Sequence, residues 1–342
     1  MLQLVDPSLV QVNVHVCEEL ATALQAGSIP EDREEIHFEG FESSELGNLV
    51  LLVVAICHQT SARGERPLAG KVNDRQLKGW DYLLQRFVEA ARSDKSLVQP
   101  NFWKELRPSQ LRTLYRNSDG QDLLTDVNNR AHLINDLGRV MNAKGWGSAE
   151  VIYHQCNGRI KTGHPNLIES LAQFRAYRDP VCKKSFFFLS LMRNTGLWSY
   201  KDPHLLGAPV DYHEVRGHLR IGTVTIIDEV LKSKLLKHEP VTAHEDIAIR
   251  AAVLEAIMLI SEQTGLNNPS QLHYLFWNVF RNYCTRENPN CLGDRRETYL
   301  PHRYQDLAIP NRNKRACPFS GVCNSVHTEE RYYDHLFETD FY

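Results

Sequence analysis

Apolar residues recur at three-to-four spacing along most of this chain, the period of a helix with one buried face. Residues 8–26 carry the pattern and stop at Gly27, a helix C-terminal signal. Pro30 to Glu45 is polar and acidic and reads as a loop. Residues 46–60 form an apolar segment whose length and flanks favour a buried helix over a strand. Further helices are predicted over 73–93, 108–116, 126–144, 164–175, 181–195, 213–221, 223–234, 243–264 and 269–283. Strand-like alternation is confined to a short piece at 223–227. No repeat or low-complexity tract is visible. The pattern predicts an all-α fold.

Composition limits what such a fold can be. With 342 residues, 42% hydrophobic and 24% charged, the chain suits one large or two modest globular domains. Its longest apolar run, Leu49 to Cys57, is nine residues, too short to span a membrane. The start, MLQLVDPSLV, shows no secretory pattern, so a cytoplasmic location is expected. Eight cysteines in a chain this long do not make a disulfide scaffold. A net charge of −3 and a pI of about 6.6 give no overall nucleic-acid footprint.

Four of the cysteines change the picture. Cys284 and Cys291 read C-x6-C, and after 25 further residues Cys317 and Cys323 read C-x5-C. Thiolates are soft ligands, so four that converge suit a 4Fe–4S cluster or a structural zinc. Zinc sites use tighter pairs, two to four residues apart, which makes zinc the less natural occupant. Buried thiols with no ligand role are the remaining reading. Between the pairs lie Arg295, Arg296, Arg303, Arg312, Lys314 and Arg315 with Tyr299, His302 and Tyr304. That basic and aromatic mixture is one that nucleic-acid surfaces use, and a solvated insertion would look the same.

Three more segments carry candidate chemistry. Asp211 stands where a loop turns into a helix, where an aspartate caps free backbone amides. His213, Arg216 and Arg220 follow on one helix face. Lys183 and Lys184 head an apolar helix containing Phe186, Phe187 and Phe188; an amine half-buried there loses its charge more readily, as a nucleophile requires. Gln59, in Ile56–Ser61, closes the apolar segment with an amide that both donates and accepts.

Together these segments resemble the helix-hairpin-helix (HhH-GPD) DNA glycosylases over about residues 46–323. Val210–Gly222 matches that family's V-D-x-H-x-x-R-x-x-x-R-x-G segment, and Ile56–Ser61 is similar to its LSQQTS-like helix end. Lys184 falls in the register of the K-T-x-x-F stretch of archaeal 8-oxoguanine glycosylases. The outer cysteine spacings resemble the iron–sulfur loop of endonuclease III-type enzymes, with the inner separation expanded. The resemblance implies a helical barrel over 46–204 and a second lobe from 1–45 plus 205–342 that carries an iron–sulfur loop at 284–323. It implies catalysis by Asp211 and Lys184, with Gln59, His213, Arg216 and Lys183 binding a base flipped from DNA. Cleaving an N-glycosidic bond puts positive charge on the sugar, which a fixed carboxylate stabilises. One departure stands out: the family's glycine hairpin is replaced by Phe174–Asp179, which has no glycine.

A second resemblance spans more of the chain. Gly79–Leu84 with Trp80, Asn129-Arg130, Phe174–Asp179, Val210–Tyr212 and Glu245–Ala251 are similar to the queuosine-nucleotide N-glycosylase family. It implies a free modified nucleotide as substrate, Trp80 among the binding residues, and Asp211 again as the acid group. The cysteine set is foreign to that family, and its D-Y-R-V-P-Q motif is replaced here by Asp211–Arg216. A non-catalytic iron–sulfur protein that binds nucleic acid is the remaining alternative. No protein partner is indicated.

Overall fold

The structure is a computed structural model. It describes residues 4–24, 29–30, 38–60, 68–117, 120–266, 268–293, 300–301, 304, 316–326, 328 and 331–342. Ser61 and, apart from Tyr304, the basic and aromatic residues between the cysteine pairs lie outside them. The chain divides by its contacts into two compact units. One comprises Met1–Asp32 with Pro203–Glu338; the other comprises Arg33–Asp202 with Thr339–Tyr342. The last four residues therefore belong with the middle of the chain.

The first unit is built on helix α12, Ala243–Gln263, which is buried on most sides. Thr242 and Glu245 close its N-terminus as a capping box: Thr242 Oγ1 accepts from the Glu245 amide, and Glu245 Oε2 accepts from the Thr242 amide. Around it pack α1 (Val14–Ala23), α10 (Tyr212–Ile221) and α13 (Pro269–Asn282). Helix α11 is Glu229–Lys237. Strands β1 (Val10–Val12) and β4 (Val224–Ile226) pair antiparallel, Val10 opposite Ile226.

These strands correct two expectations. Val10, Val12, Val14 and Val16 alternate with period two, and the first two, both β-branched, pair with Ile226 and Val224. Pairing takes residues 10–12 out of the expected helix 8–26, and Asn13 then caps α1 through the Val16 amide. The helix expected at 223–234 likewise splits into β4 and α11, which Asp228 caps through the Leu231 amide.

The second unit centres on α2, Ser43–Ala55, buried continuously from Leu46. Its buried Asn48 donates to the Val98 carbonyl and accepts from the Ala149 amide, so a polar side chain inside an apolar helix is fully used. Helices α6 (Val127–Lys144), α7 (Ala149–Gln155) and α9 (Lys183–Asn194) pack on it. The start of the helix expected at 73–93 is instead a hairpin, β2 (Ala69–Val72) with β3 (Arg75–Lys78), turned by Asn73 and Asp74 at positive φ. Helix α3, Trp80–Ser93, follows it. With α4 (Pro100–Trp103), α5 (Pro108–Leu114) and α8 (Leu167–Leu171), the described residues are mostly helical.

Candidate functional site

In the first unit, Asp211 is the N-cap of α10. Its Oδ1 accepts from the amides of His213 at 2.7 Å and Glu214 at 3.3 Å. Its Oδ2 accepts from the indole N–H of Trp277 on α13 at 3.1 Å. The carboxylate is thus both a cap and a fixed, partly exposed acid group. Two helices set that distance. Gly217, in the middle of α10, faces Phe280 so closely that a Cβ there would overlap its ring. Only glycine lets α10 and α13 approach this far.

The rest of the α10 face points inward. Arg216, expected to touch substrate, is instead buried and donates to the Cys284 and Phe280 carbonyls, to Asp334 at 3.1 Å and to His213 Nδ1 at 2.9 Å. It ties helix to core. His213 accepts that bond, so its Nδ1 carries no proton, and desolvation pushes its pKa down to about 4 against the pull of Asp211. It is therefore neutral at pH 7. One turn below Asp211, Glu214 is wholly buried 2.8 Å from His273, and burial raises its pKa.

Arg220, at the far end of α10, donates to Cys284 Sγ at 3.5 Å and to the Thr285, Arg286 and Tyr332 carbonyls. Cys323 Sγ donates to the Arg220 carbonyl at 3.3 Å. The four cysteines Cys284, Cys291, Cys317 and Cys323 line a single pocket together with Arg220 and Arg331. The amide of Cys317 donates to the Cys291 carbonyl at 3.0 Å, joining the two cysteine arms. Burial raises the Cys291 and Cys317 thiols and pushes Cys323 up to about 12, so these sulfurs ionise there only beside added positive charge. Among the described residues, no group of three or more His, Cys, Asp or Glu side chains, the four cysteines included, is placed to hold a metal ion.

The second unit holds the other predicted residues. Lys184 is fully buried, and burial lowers its pKa to about 7. Its amine donates to the Ala55 carbonyl and, at 2.6 Å, to the Asp340 carbonyl in the chain's last four residues. Gln59 stands in the left-handed region at φ 49°; its side chain donates to the Thr339 carbonyl and its amide to that of Tyr342. Both predicted residues are thus occupied by residues 339–342. Lys183 reaches Cys57 Sγ at 3.8 Å and lies over the Phe187 ring, which meets Trp80 edge to face with centroids 4.8 Å apart. Arg130, on α6, is buried and donates to the Ile56 and His58 carbonyls that end α2. In place of a glycine hairpin, Asp179 accepts from the amides of Val181 and Lys183 ahead of α9.

Sequence reasoning missed three participants. Trp277 sits in an amphipathic helix and reads as one more aromatic on its buried face. Asp334 is buried between Arg216 and Arg286, an ion pair across 118 residues that no local pattern announces. Residues 339–342, Thr-Asp-Phe-Tyr, carry no motif. Among the described residues no helix is long and apolar enough to cross a membrane. Compared with protein-family models and with curated proteins, the chain matches none.

Proposed function

We propose that this chain is an N-glycosylase that hydrolyses the bond between a damaged or modified base and its sugar in DNA. Asp211 is its catalytic acid group, and Cys284, Cys291, Cys317 and Cys323 hold a 4Fe–4S cluster. The observation that carries the reading is the Asp211 carboxylate: partly exposed, fixed by two backbone amides and one indole, every donor favouring its charged form. As the C1′–N bond breaks, its electron pair leaves with the base and positive charge grows on the sugar. A pre-set carboxylate stabilises that charge without reorganising, and water then supplies the hydroxyl at C1′ while its proton ends on the departing base. Neutral His213 lies beside it as a hydrogen-bonding group. Lys184 is bonded to the chain's own carbonyls, so the nucleophile in this reading is water and the enzyme is monofunctional.

One observation favours a second substrate, a free queuosine-type nucleotide. The amides ahead of α9 that would grip a DNA phosphate are taken by Asp179. Both substrates use Asp211.

The test compares wild type with Asp211→Asn, after anaerobic purification, on oligonucleotides carrying damaged bases and on queuosine 5′-phosphate. Free base is measured by chromatography, and iron and sulfide are assayed in parallel. Base release by wild type that Asp211→Asn abolishes supports the reading, and the active substrate chooses between DNA and nucleotide. No base release from either class sinks both. Borohydride trapping of wild type on DNA would return Lys184 to the mechanism.

A further inference from the structure

The two oxygens of Asp211 have different duties. Capping α10 occupies Oδ1 alone, with the amides of His213 and Glu214. Many helices are capped this way with the second oxygen left to water, so the cap does not explain why Oδ2 takes a tryptophan. Trp277 brings its N–H to Oδ2 at 3.1 Å from another helix, 66 residues along the chain. Its ring is itself held: the Arg281 guanidinium lies 4.6 Å from the ring centroid, and His213 meets it edge-on at 6.2 Å. Trp277 is only partly buried, so packing alone does not demand an indole at this position.

We propose that Trp277 is a positioning residue, whose N–H fixes the direction of the Asp211 carboxylate and commits it to stabilising charge on the sugar rather than to taking a proton from water. This deepens the N-glycosylase reading and rests on it. An indole donates and never accepts, so it bonds to the carboxylate ion and works against its protonation. Amide and indole donors on one carboxylate make it a weak base and a well-placed anion. Arg281 over the ring restricts the tilt of the indole and adds positive charge behind it. Gly217 sets the helix approach that makes the bond possible.

The experiment uses the full chain with Trp277→Phe, which keeps a ring for Arg281 and removes the N–H. Three readouts are taken: thermal midpoint, steady-state kinetics, and a 13C-carboxyl NMR titration of Asp211. Among the described residues, the titratable and charged groups around that carboxylate include Tyr212, His213, Glu214 and Arg216 on α10, and His273 and Arg281 on α13, and the substitution leaves these in place. The expected result is a kcat lower by about tenfold, the worth of one charge-assisted hydrogen bond, with KM changed by less than about twofold. The Asp211 carboxyl should titrate higher by about one pH unit, since a donor to its charged form is gone.

Wild-type kcat together with an unshifted titration overturns the proposal. So does a loss of kcat that only tracks a lower thermal midpoint. If Trp277→Phe does not fold, benzothienylalanine placed at position 277 alone, the isostere lacking only the N–H, takes its place under the same criteria. The carboxyl titration needs no substrate. A shifted titration in a protein that releases no base keeps the indole–carboxylate assignment and sinks the glycosylase reading, whereas an unshifted titration in an active enzyme does the reverse.

Discussion

Asp211 in the first unit and Lys184 in the second both stand at the head of a helix, and the two are treated in opposite ways. Asp211, before α10, is partly exposed and takes amide and indole donors that favour its ion. Lys184, in the first turn of α9, is wholly buried, and burial brings its pKa down to about 7. A helix N-terminus explains the asymmetry. Its free N–H groups and positive dipole end welcome a carboxylate and offer an amine nothing. Lys184 turns to backbone oxygens instead, at Ala55 and Asp340. A catalytic anion can be installed with local chemistry alone, whereas a reactive amine needs burial and remote acceptors.

The sharpest way to break this contrast is to neutralise Asp211 without touching its cap. Asparagine caps as well as aspartate but turns its NH2 toward the Trp277 indole in place of Oδ2, so Asp211→Asn should cost about 1 kcal/mol of unfolding free energy in urea. Base release should fall about a thousandfold, a barrier increase of about 4 kcal/mol. Lost stability with base release unchanged would mean that Asp211 is a cap and nothing more. Lys184→Met, by contrast, should leave base release near wild type.

Next in size is the buried ion pair beneath α10. Arg216→Ala removes one of the arginines that hold buried Asp334 and should cost about 3 kcal/mol by chemical denaturation. A surface role would give a cost near zero. Gly217→Ala should cost about 2 kcal/mol through overpacking against Phe280, and should lower base release further by pushing Trp277 away from Asp211. Unchanged kinetics in that variant would uncouple helix spacing from the site.

The effects of Lys184 are read as a slope against pH rather than as a difference at one pH. Its folded pKa of about 7 lies below the unfolded 10.5, so between those values the unfolded chain holds more protons. Stability should therefore rise with pH from about 7 to 10.5, and Lys184→Met should flatten that rise, measured by urea unfolding across the range. Removing residues 339–342 takes away one of its two acceptors and should speed its reductive methylation, followed by mass spectrometry.

What the sequence disclosed follows the range of each interaction. The long helices were legible because their apolar period is local, and α6, α9, α12 and α13 lie within a residue or two of their expected bounds. The Asp211 cap was legible for the same reason. Strand β1 was not, because Val10 and Val12 pair with residues over 200 positions away, and the helical reading of the region was equally consistent locally. Arg216 misled because spacing places it on a face but does not say which face is buried. Gln59 and Lys184 were found as chemistry-bearing residues, yet their partners at 339–342 were not, since a backbone carbonyl has no letter in a sequence.

Helix α10 has ten residues and so a length of about 15 Å. At its head is the carboxylate, and at its foot Arg220 grips Cys284 while Cys323 grips the Arg220 carbonyl. A hydrogen-bonded helix of this length is stiff along its axis, and it passes on displacement with little loss. The thiol pocket and the acid group thus sit at opposite ends of one short helix, about three turns apart.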